Sequence, residues 1–501
     1  MSVEHFDVLI IGAGLSGIGA AYRLQSMCPG KRYAVLEGRE AIGGTWDLFR
    51  YPGIRSDSDM YTLGYPFRPW KAAKAIADGA DIRNYIVDTA REAGIDKHIR
   101  FRQRIESASW SSAEGRWTLR VRAGEQGVPT TYTCGFLYTC CGYYDYENGH
   151  MPDFKGAADF KGQFVHPQKW PENLDYAGKQ VVVIGSGATA VTLVPSMAPK
   201  AAHITMLQRS PSYIASLPAR DALAGVFRRV LPEQLAHSVA RWKNVLIGLA
   251  FYQVCRKAPR FASALLRKGV QRQLPKGYPV DTHFKPYYKP WDQRLCLVPD
   301  GDLFRALRSG KASVVTDQID HFSANAIHLK SGATLPADIV ISATGLKLLA
   351  GGGIRFDVDG RPVSLGGTMV YRGVLLQGLP NLAMCVGYTN ASWTLRADMS
   401  STYICRLLNY MERNGQTVCV PQCDDESVEQ RPLLDLTSAY VQRASDVLPK
   451  QGSKRPWDLR QNYLIDRANL EFKGVDESSL KFYPAQRLVG LAADLGVKQA
   501  A

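Results

Sequence analysis

With 501 residues the chain is long for one core and reads as two or three domains. Its 46% apolar and 21% charged content is that of an ordinary globular protein, and its longest apolar stretch, Asn244 to Val254, falls far short of the ~20 residues that span a bilayer. A net charge of +15 attracts anions (anionic lipid, nucleic acid or polyphosphate cofactors), but no nucleic-acid module, zinc-ligand spacing or arginine-rich tail is present, so neither a nucleic-acid partner nor a metal is expected.

The ten cysteines are scattered, and no basic apolar leader precedes the first apolar run, which together point to a reducing cytoplasm. That run, Phe6 to Ile11, has the composition of a buried parallel strand and enters Gly12-Ala13-Gly14-Leu15-Ser16-Gly17 and then a helix. Gly12 makes a tight turn, Gly14 lets backbone approach a pyrophosphate, and Gly17 lets the helix pack close to the strand with its N-terminus aimed at phosphate. Leu15 opens that helix. A second strand, Tyr33 to Leu36, ends in Glu37, whose carboxylate suits ribose hydroxyls and repels a 2′-phosphate; this site is assigned to FAD. Next comes Gly43-Gly44-Thr45-Trp46-Asp47, continuing through Tyr51-Pro52-Gly53 to Asp57 and Tyr61. Residues Ile105 to Ala123 pattern as a β-meander, and Phe136 to Gly142 as a strand ending in glycine.

The joining segment follows: Phe160, Gly162, His166 and Trp170-Pro171 at the spacing F-x-G-x-x-x-H-x-x-x-W-P. It precedes a second strand and glycine turn, Gln180 to Ile184 and then Gly185-Ser186-Gly187-Ala188-Thr189-Ala190. Here the following strand, His203 to Gln208, ends in Arg209-Ser210 rather than an acid. A guanidinium pairs bidentately with a 2′-phosphate, so this site is assigned to NADPH; an ordinary surface arginine is the alternative. From Val226 to Lys276 basic residues alternate with leucines and aromatics, which fits a helical excursion covering an active site or a peripheral contact with an anionic membrane. Later, Asp338 to Gly345 carries Ala343-Thr344-Gly345, which returns the chain to the first unit.

The fold expected is α/β, with two Rossmann-like dinucleotide-binding domains and a helical insertion. The FAD-binding domain takes 1–149 and 338–450, and the NADPH-binding domain, with its linker, 150–217 and 289–337. The insertion takes 218–288. The tail, 451–501, has no assigned role.

The 43–57 segment resembles the Baeyer–Villiger motif G-G-x-W-x-x-x-x-Y-P-G-x-x-x-D, and the joining segment resembles that family's second fingerprint. Trp291 to Cys296 and Gly387 to Leu395 are similar to its mycobacterial ethionamide-activating branch. The resemblance implies an NADPH- and O2-dependent flavin monooxygenase that converts a ketone to an ester or lactone through a C4a-peroxyflavin, with sulfide or thioamide oxidation as a second capability. It also implies that Arg294 is the fixed cation beside the reacting oxygen and that Asp57 positions it; a structural salt bridge and a helix N-cap are the respective alternatives. Cofactor contacts expected on the same grounds are Gly44, Thr45, Trp46, Asp47, Tyr61, Thr344, Gly345, Asn390 and Trp393, the last two toward NADP or the pocket. Tyr61 reads equally as a core tyrosine. His166 and Trp170 read as parts of the joint between domains, not as a general base and its partner. A heteroatom-oxygenating flavoprotein and an NADPH oxidase without a dedicated substrate are the competing functions.

Overall fold

Strand β1 (Glu4–Ile11) is buried at Phe6 and from Val8 to Ile11, as an apolar run inside a parallel sheet must be. In the computed structural model, which describes residues 3–487, it pairs in parallel with β2 (Tyr33–Leu36) on one side and β6 (Val128–Thr139) on the other. Beyond β2 lies β3 (Ile99–Arg100), and β4 (Gln103–Ser111), β5 (Arg116–Ala123) and β6 form an antiparallel meander. Helices α1 (Leu15–Met27), α2 (Thr45–Leu48), α3 (Met60–Leu63) and α4 (Gly79–Glu92) belong to this first unit. The chain leaves it along β7 (Tyr144–Gly149).

A second parallel sheet contains β8 (Gln163–Val165), β9 (Gln180–Ile184) and β10 (His203–Gln208), with α5 (Ala188–Met197) following β9. Strand β11 (Ile214–Leu217) leads into the insertion: α6 (Ala222–Val230), α7 (Glu233–Lys257), α8 (Pro259–Gln271) and α9 (Val280–Phe284). Strand β12 (Cys296–Pro299) closes it by pairing in parallel with β11. After α10 (Asp302–Arg308) and β13 (Ala312–Thr316), a small antiparallel sheet of β14 (Ile319–Ser323), β15 (Ala326–Leu329) and β16 (Thr334–Pro336) precedes β17 (Ile339–Ser342).

The sequence alone opens the second part of the first unit at residue 338. Strand β17 corrects that boundary, because it lies between β9 and β8 in the order β13-β10-β9-β17-β8. A short, wholly buried strand suits either parallel sheet, and nothing in its composition says which. The return crossing is β18 (Leu346–Leu348), antiparallel to β7, so one two-stranded ribbon carries the chain both ways. Strand β19 (Arg355–Val358) then joins β4 in parallel, with β20 (Arg361–Val363) at the edge. Helix α11 (Trp393–Arg413) packs on α1. The described part of the tail belongs to the first unit. Leu480–Tyr483 pairs with Val418–Pro421, and ion pairs Arg396–Asp466 (2.6 Å) and Arg372–Glu477 (2.9 Å) fasten it.

Helix α7 docks on α3 through a buried cation. Arg241 donates to the carbonyls of Tyr61 and Gly64, both at 2.8 Å. One turn earlier His237 is also buried, with Nε2 3.3 Å from the Tyr65 carbonyl and Nδ1 without a partner. Burial, and then Arg241, hold its pKa down at about 4. A histidine with a depressed folded pKa favours the fold above its ordinary value and loses that contribution as pH falls through the depressed one. Acidification from pH ~6.5 to ~4 should therefore cost about 3 kcal/mol from this residue. Urea titrations at the two pH values should show that loss, and His237→Gln should shrink it; an unchanged loss would clear His237.

Candidate active site

Gly12, at φ +103°, forms the turn after β1, and a Cβ there would lie 2.8 Å from the Cys140 carbonyl oxygen. A Cβ on Gly17 would lie 1.8 Å from the Gly12 oxygen, so α1 sits against the turn at a distance only glycine allows. Gly14 caps α1 without any side chain accepting from its first turn, which leaves those N–H groups for an anion. Glu37 is buried at the end of β2; its two oxygens accept from the Ala13 and Arg39 backbone N–H groups at 2.7 and 2.8 Å. Burial raises its pKa against the pull of those bonds. Each oxygen retains a lone pair for a ribose hydroxyl, so the donor set fits the adenosine half of FAD.

The 43–57 segment joins the two units. At one end Gly44, at φ +56°, packs backbone to backbone on the first glycine turn: a Cβ there would lie 3.1 Å from the Gly14 Cα. At the other end a Cβ on Gly53, at φ +75°, would lie 1.8 Å from the Ser196 Oγ of α5, and the buried Tyr51 joins the same core cluster as Val191 and Val194 of that helix. Arg55 pairs with Asp302 of α10. Thr45 Oγ1 lies 3.4 Å from the Tyr146 hydroxyl, and Trp46 packs on the core of the first unit. Asp47, expected at the cofactor, is buried and shared by Arg39 (2.6 Å), Arg50 (2.8 Å) and Arg83 (2.8 Å). Its carboxylate is held by those three cations.

At the second turn Gly185, at φ +138°, approaches the Ala343 carbonyl so closely that a Cβ would lie 2.4 Å from it, whereas Gly187 faces open space. Ala188 and Thr189 begin α5, and Ala190 is fully buried. Ser186 Oγ donates to the Ser210 carbonyl at 3.0 Å, so Ser210 is tied to the turn by its backbone. Arg209 is exposed and has no ion pair among the described residues. Thr344 Oγ1 donates to the His150 carbonyl at 2.9 Å, and Gly345 sits at φ +108° where the ribbon begins.

In the joining segment Phe160 packs edge-on against Phe322 (5.9 Å), and a Cβ on Gly162 would lie 2.4 Å from the Asp338 carbonyl oxygen. His166 Nδ1 accepts from the Gln168 N–H at 3.2 Å, and its ring covers Gly149, where a Cβ would lie 2.1 Å from Cε1. Burial lowers its pKa. Its Nε2 is buried without a partner. Trp170 packs on the core of the second unit.

Arg294 lies where the two turns converge. It donates to Asp57 Oδ2 at 3.2 Å, the side chains being 33% and 41% exposed. Asp57 is not the cap of α3; Asp59 is, accepting from the Thr62 N–H at 3.0 Å. Burial opposes the charge on Arg294, but Asp57, together with the neighbouring Tyr143, Tyr440 and Tyr144, raises its pKa on balance. Two residues on, the Cys296 thiol donates to the Ser186 carbonyl at 3.7 Å, at the second turn. On the other side Tyr143 neighbours Arg294 and meets Trp393 at 5.1 Å, whose indole N–H donates to Ser16 Oγ at 2.7 Å, on the first turn. Trp393, expected toward NADP or the pocket, is thus tied by its indole to the first glycine turn.

Two other residues expected at the cofactors have these protein neighbours. Tyr61 is buried against Ala224 and Ala240 of the insertion, in its reading as a core tyrosine. Asn390 Nδ2 donates to the Gln461 carbonyl at 2.8 Å, in the tail, and Oδ1 is left unpartnered. The loop that carries Arg294 is fixed from both sides: Asp292 Oδ1 accepts from Arg256 of α7 at 2.9 Å, and its carbonyl accepts from the Thr437 N–H at 2.7 Å. The sequence offers no local signal for Tyr143, Arg256 or Thr437, since each contacts the site from a distant segment.

A protein-family model described as flavin-binding monooxygenase-like matches residues 65–243, and one for an NAD(P)-binding Rossmann-like domain matches 10–78. The FAD-containing monooxygenase EthA of Mycobacterium tuberculosis is 55% identical over 489 residues, 97% of this chain and 100% of that protein. EthA of Mycolicibacterium smegmatis is 54% identical over 480 residues, 96% of this chain and 97% of that one. A solved oxidized steroid monooxygenase bound to NADP superposes with a TM-score of 0.73 at 22% identity, over 96% of this chain and 100% of that one. That last likeness concerns the fold.

Proposed function

Since the chain belongs to the FAD-containing monooxygenase family of the EthA proteins, we propose that it inserts one atom of O2 beside the carbonyl of a ketone, yielding an ester or lactone. It is an NADPH-dependent flavin monooxygenase. The change balances as ketone, O2, NADPH and a proton giving ester, NADP+ and water. The observation that carries the reading is the Arg294–Asp57 pair, 3.2 Å apart and in contact, through neighbouring residues, with both glycine turns.

When bound, the flavin supplies the reduction of O2 and the transfer of one oxygen atom. The protein's part is to hold and orient. Glu37 holds the FAD ribose, and the N-terminus of α1 holds the pyrophosphate. The turn at Gly185–Gly187 with α5 holds NADPH, and Arg209 its 2′-phosphate. Arg294 has one N–H on Asp57 and, among the described residues, no protein acceptor for the others. Those N–H groups stabilise negative charge on the reacting oxygen, and a guanidinium keeps its own charge where an ammonium loses it. Asp57 fixes their direction.

Purified FAD-loaded protein given NADPH, O2 and a panel of methyl ketones and sulfides tests this. Ester formation coupled to NADPH oxidation is the expected result; sulfoxide as the only product would replace the reading with heteroatom oxygenation. For the second site, Arg209→Ala should raise the KM for NADPH about 10–100-fold, the worth of one charge-assisted contact, with little change for NADH. Equal effects on both cofactors would remove Arg209 from phosphate recognition.

A further inference from the structure

The outer surface of the insertion is unusual in two respects at once. Nine of the seventeen large apolar side chains that the described residues leave exposed lie between Leu223 and Leu265, a small fraction of the chain. Seven of the nine follow helical spacing: Leu223, Val226 and Val230 on α6, Ile247 and Val254 on α7, Phe261 and Leu265 on α8. Phe261 is 63% exposed and Ile247 60%, while the opposite sides of the same helices are buried at Ala224, Val245, Ala262 and Leu266. Helices α6 and α8 both pack against α7, so the three stripes belong to one folded element.

The charge on this element is one-sided. Residues 222–276 contain eleven lysines and arginines and a single carboxylate, Glu233. The stripe on α7 runs on from Val254 to Lys257, and that on α8 from Leu265 to Lys268 and Arg272, by steps of three or four. Among the described residues Lys257, Arg260, Lys268 and Arg272 have no ion pair, whereas Arg256 and Arg267 are paired inward with Asp292 and Asp281.

From this juxtaposition of exposed apolar stripes with unpaired cations, we propose that the α6–α8 surface is a docking site for an anionic lipid bilayer. The apolar side chains enter the headgroup–acyl boundary, and the cations take the lipid phosphates. A second copy of the chain is the poorer occupant, because a two-fold contact through this face would set the unpaired Lys257, Arg260, Lys268 and Arg272 against their own copies with no carboxylate in the stripes to offset them. Nucleic acid accounts for the cations but not for the apolar stripes. Docking would bring the lipid surface to α7, whose Arg256 holds the Arg294 loop through Asp292.

The test is co-sedimentation of the full-length holoenzyme with vesicles of phosphatidylcholine alone and of phosphatidylcholine with phosphatidylglycerol, at rising salt. Binding should require the anionic lipid and weaken as salt screens it. Phe261→Ser with Leu265→Ser, and separately Lys257→Glu with Arg260→Glu and Lys268→Glu, should each lower the bound fraction about tenfold or more, since each cation near such a surface contributes about 1 kcal/mol. All five positions are exposed, so thermal melts and NADPH oxidation by these variants should match the parent. Equal recovery with and without anionic lipid would overturn the proposal. So would a salt-insensitive dimer, seen by sedimentation velocity, that the Phe261→Ser, Leu265→Ser variant abolishes. Either result leaves the proposed reaction untouched, because ester formation is assayed without vesicles.

Discussion

Arg294→Ala should lose ester formation about 10²–10³-fold while continuing to oxidise NADPH, with the electrons appearing as H2O2. That factor is the usual cost of removing one preorganised donor from a developing negative charge. The substitution leaves the fold nearly intact, because the pair with Asp57 is one-third exposed or more on both sides, and such pairs contribute ~1 kcal/mol or less. Asp57→Asn separates positioning from charge: it keeps a hydrogen-bond acceptor for the guanidinium and should cost less than Arg294→Ala. Parallel assays of ester, peroxide and NADPH decide the matter. Full ester yield from Arg294→Ala would remove the arginine from the reaction.

The second large effect falls on the first glycine turn. Gly17→Ala sets a methyl 1.8 Å from the Gly12 carbonyl oxygen, a contact between two backbone segments that neither can relieve by changing rotamer. The helix must move off the turn, at a cost of about 1–3 kcal/mol, and its N-terminal N–H groups move with it. Flavin retention should fall about tenfold or more, read as the visible-to-ultraviolet absorbance ratio after gel filtration, and NADPH oxidation should fall in step. Stoichiometric flavin in this variant would mean that α1 does not hold the pyrophosphate. Gly14→Ala is the control: its nearest neighbour would be the Gly44 Cα at 3.6 Å, so it tests close approach of the ligand rather than packing.

What the sequence made legible were features whose chemistry is local. Two strands running into glycine turns, each followed by a helix and a further strand that ends in Glu37 in one case and Arg209 in the other, can be read without knowing how the chain folds. The motif positions Asp57 and Arg294 came from resemblance, and the chain brings them to 3.2 Å although 237 residues separate them. Three things were hidden. The membership of β17 was one, because strand order is set by the crossover and not by an Ile-Val-Ile run that fits either sheet. The fate of polar side chains was another. Asp47 sits inside the motif segment beside Trp46, but its three arginine partners come from the loop after β2, the segment just beyond α2, and α4. Likewise Trp393 finds Ser16 only because α11 packs on α1. The last was the reason for the motif's spacing. Gly44 and Gly53 are nine residues apart because one must lie on the first glycine turn while the other lies on α5.

The claim that this chain delivers one atom of O2 to a carbonyl substrate is tested most directly with isotopically labelled oxygen. Holoenzyme, NADPH, a methyl ketone and 18O2 should give an ester carrying one labelled oxygen for each NADPH oxidised, with the other label in water. An unlabelled or absent ester alongside labelled H2O2 equal to the NADPH consumed would contradict it.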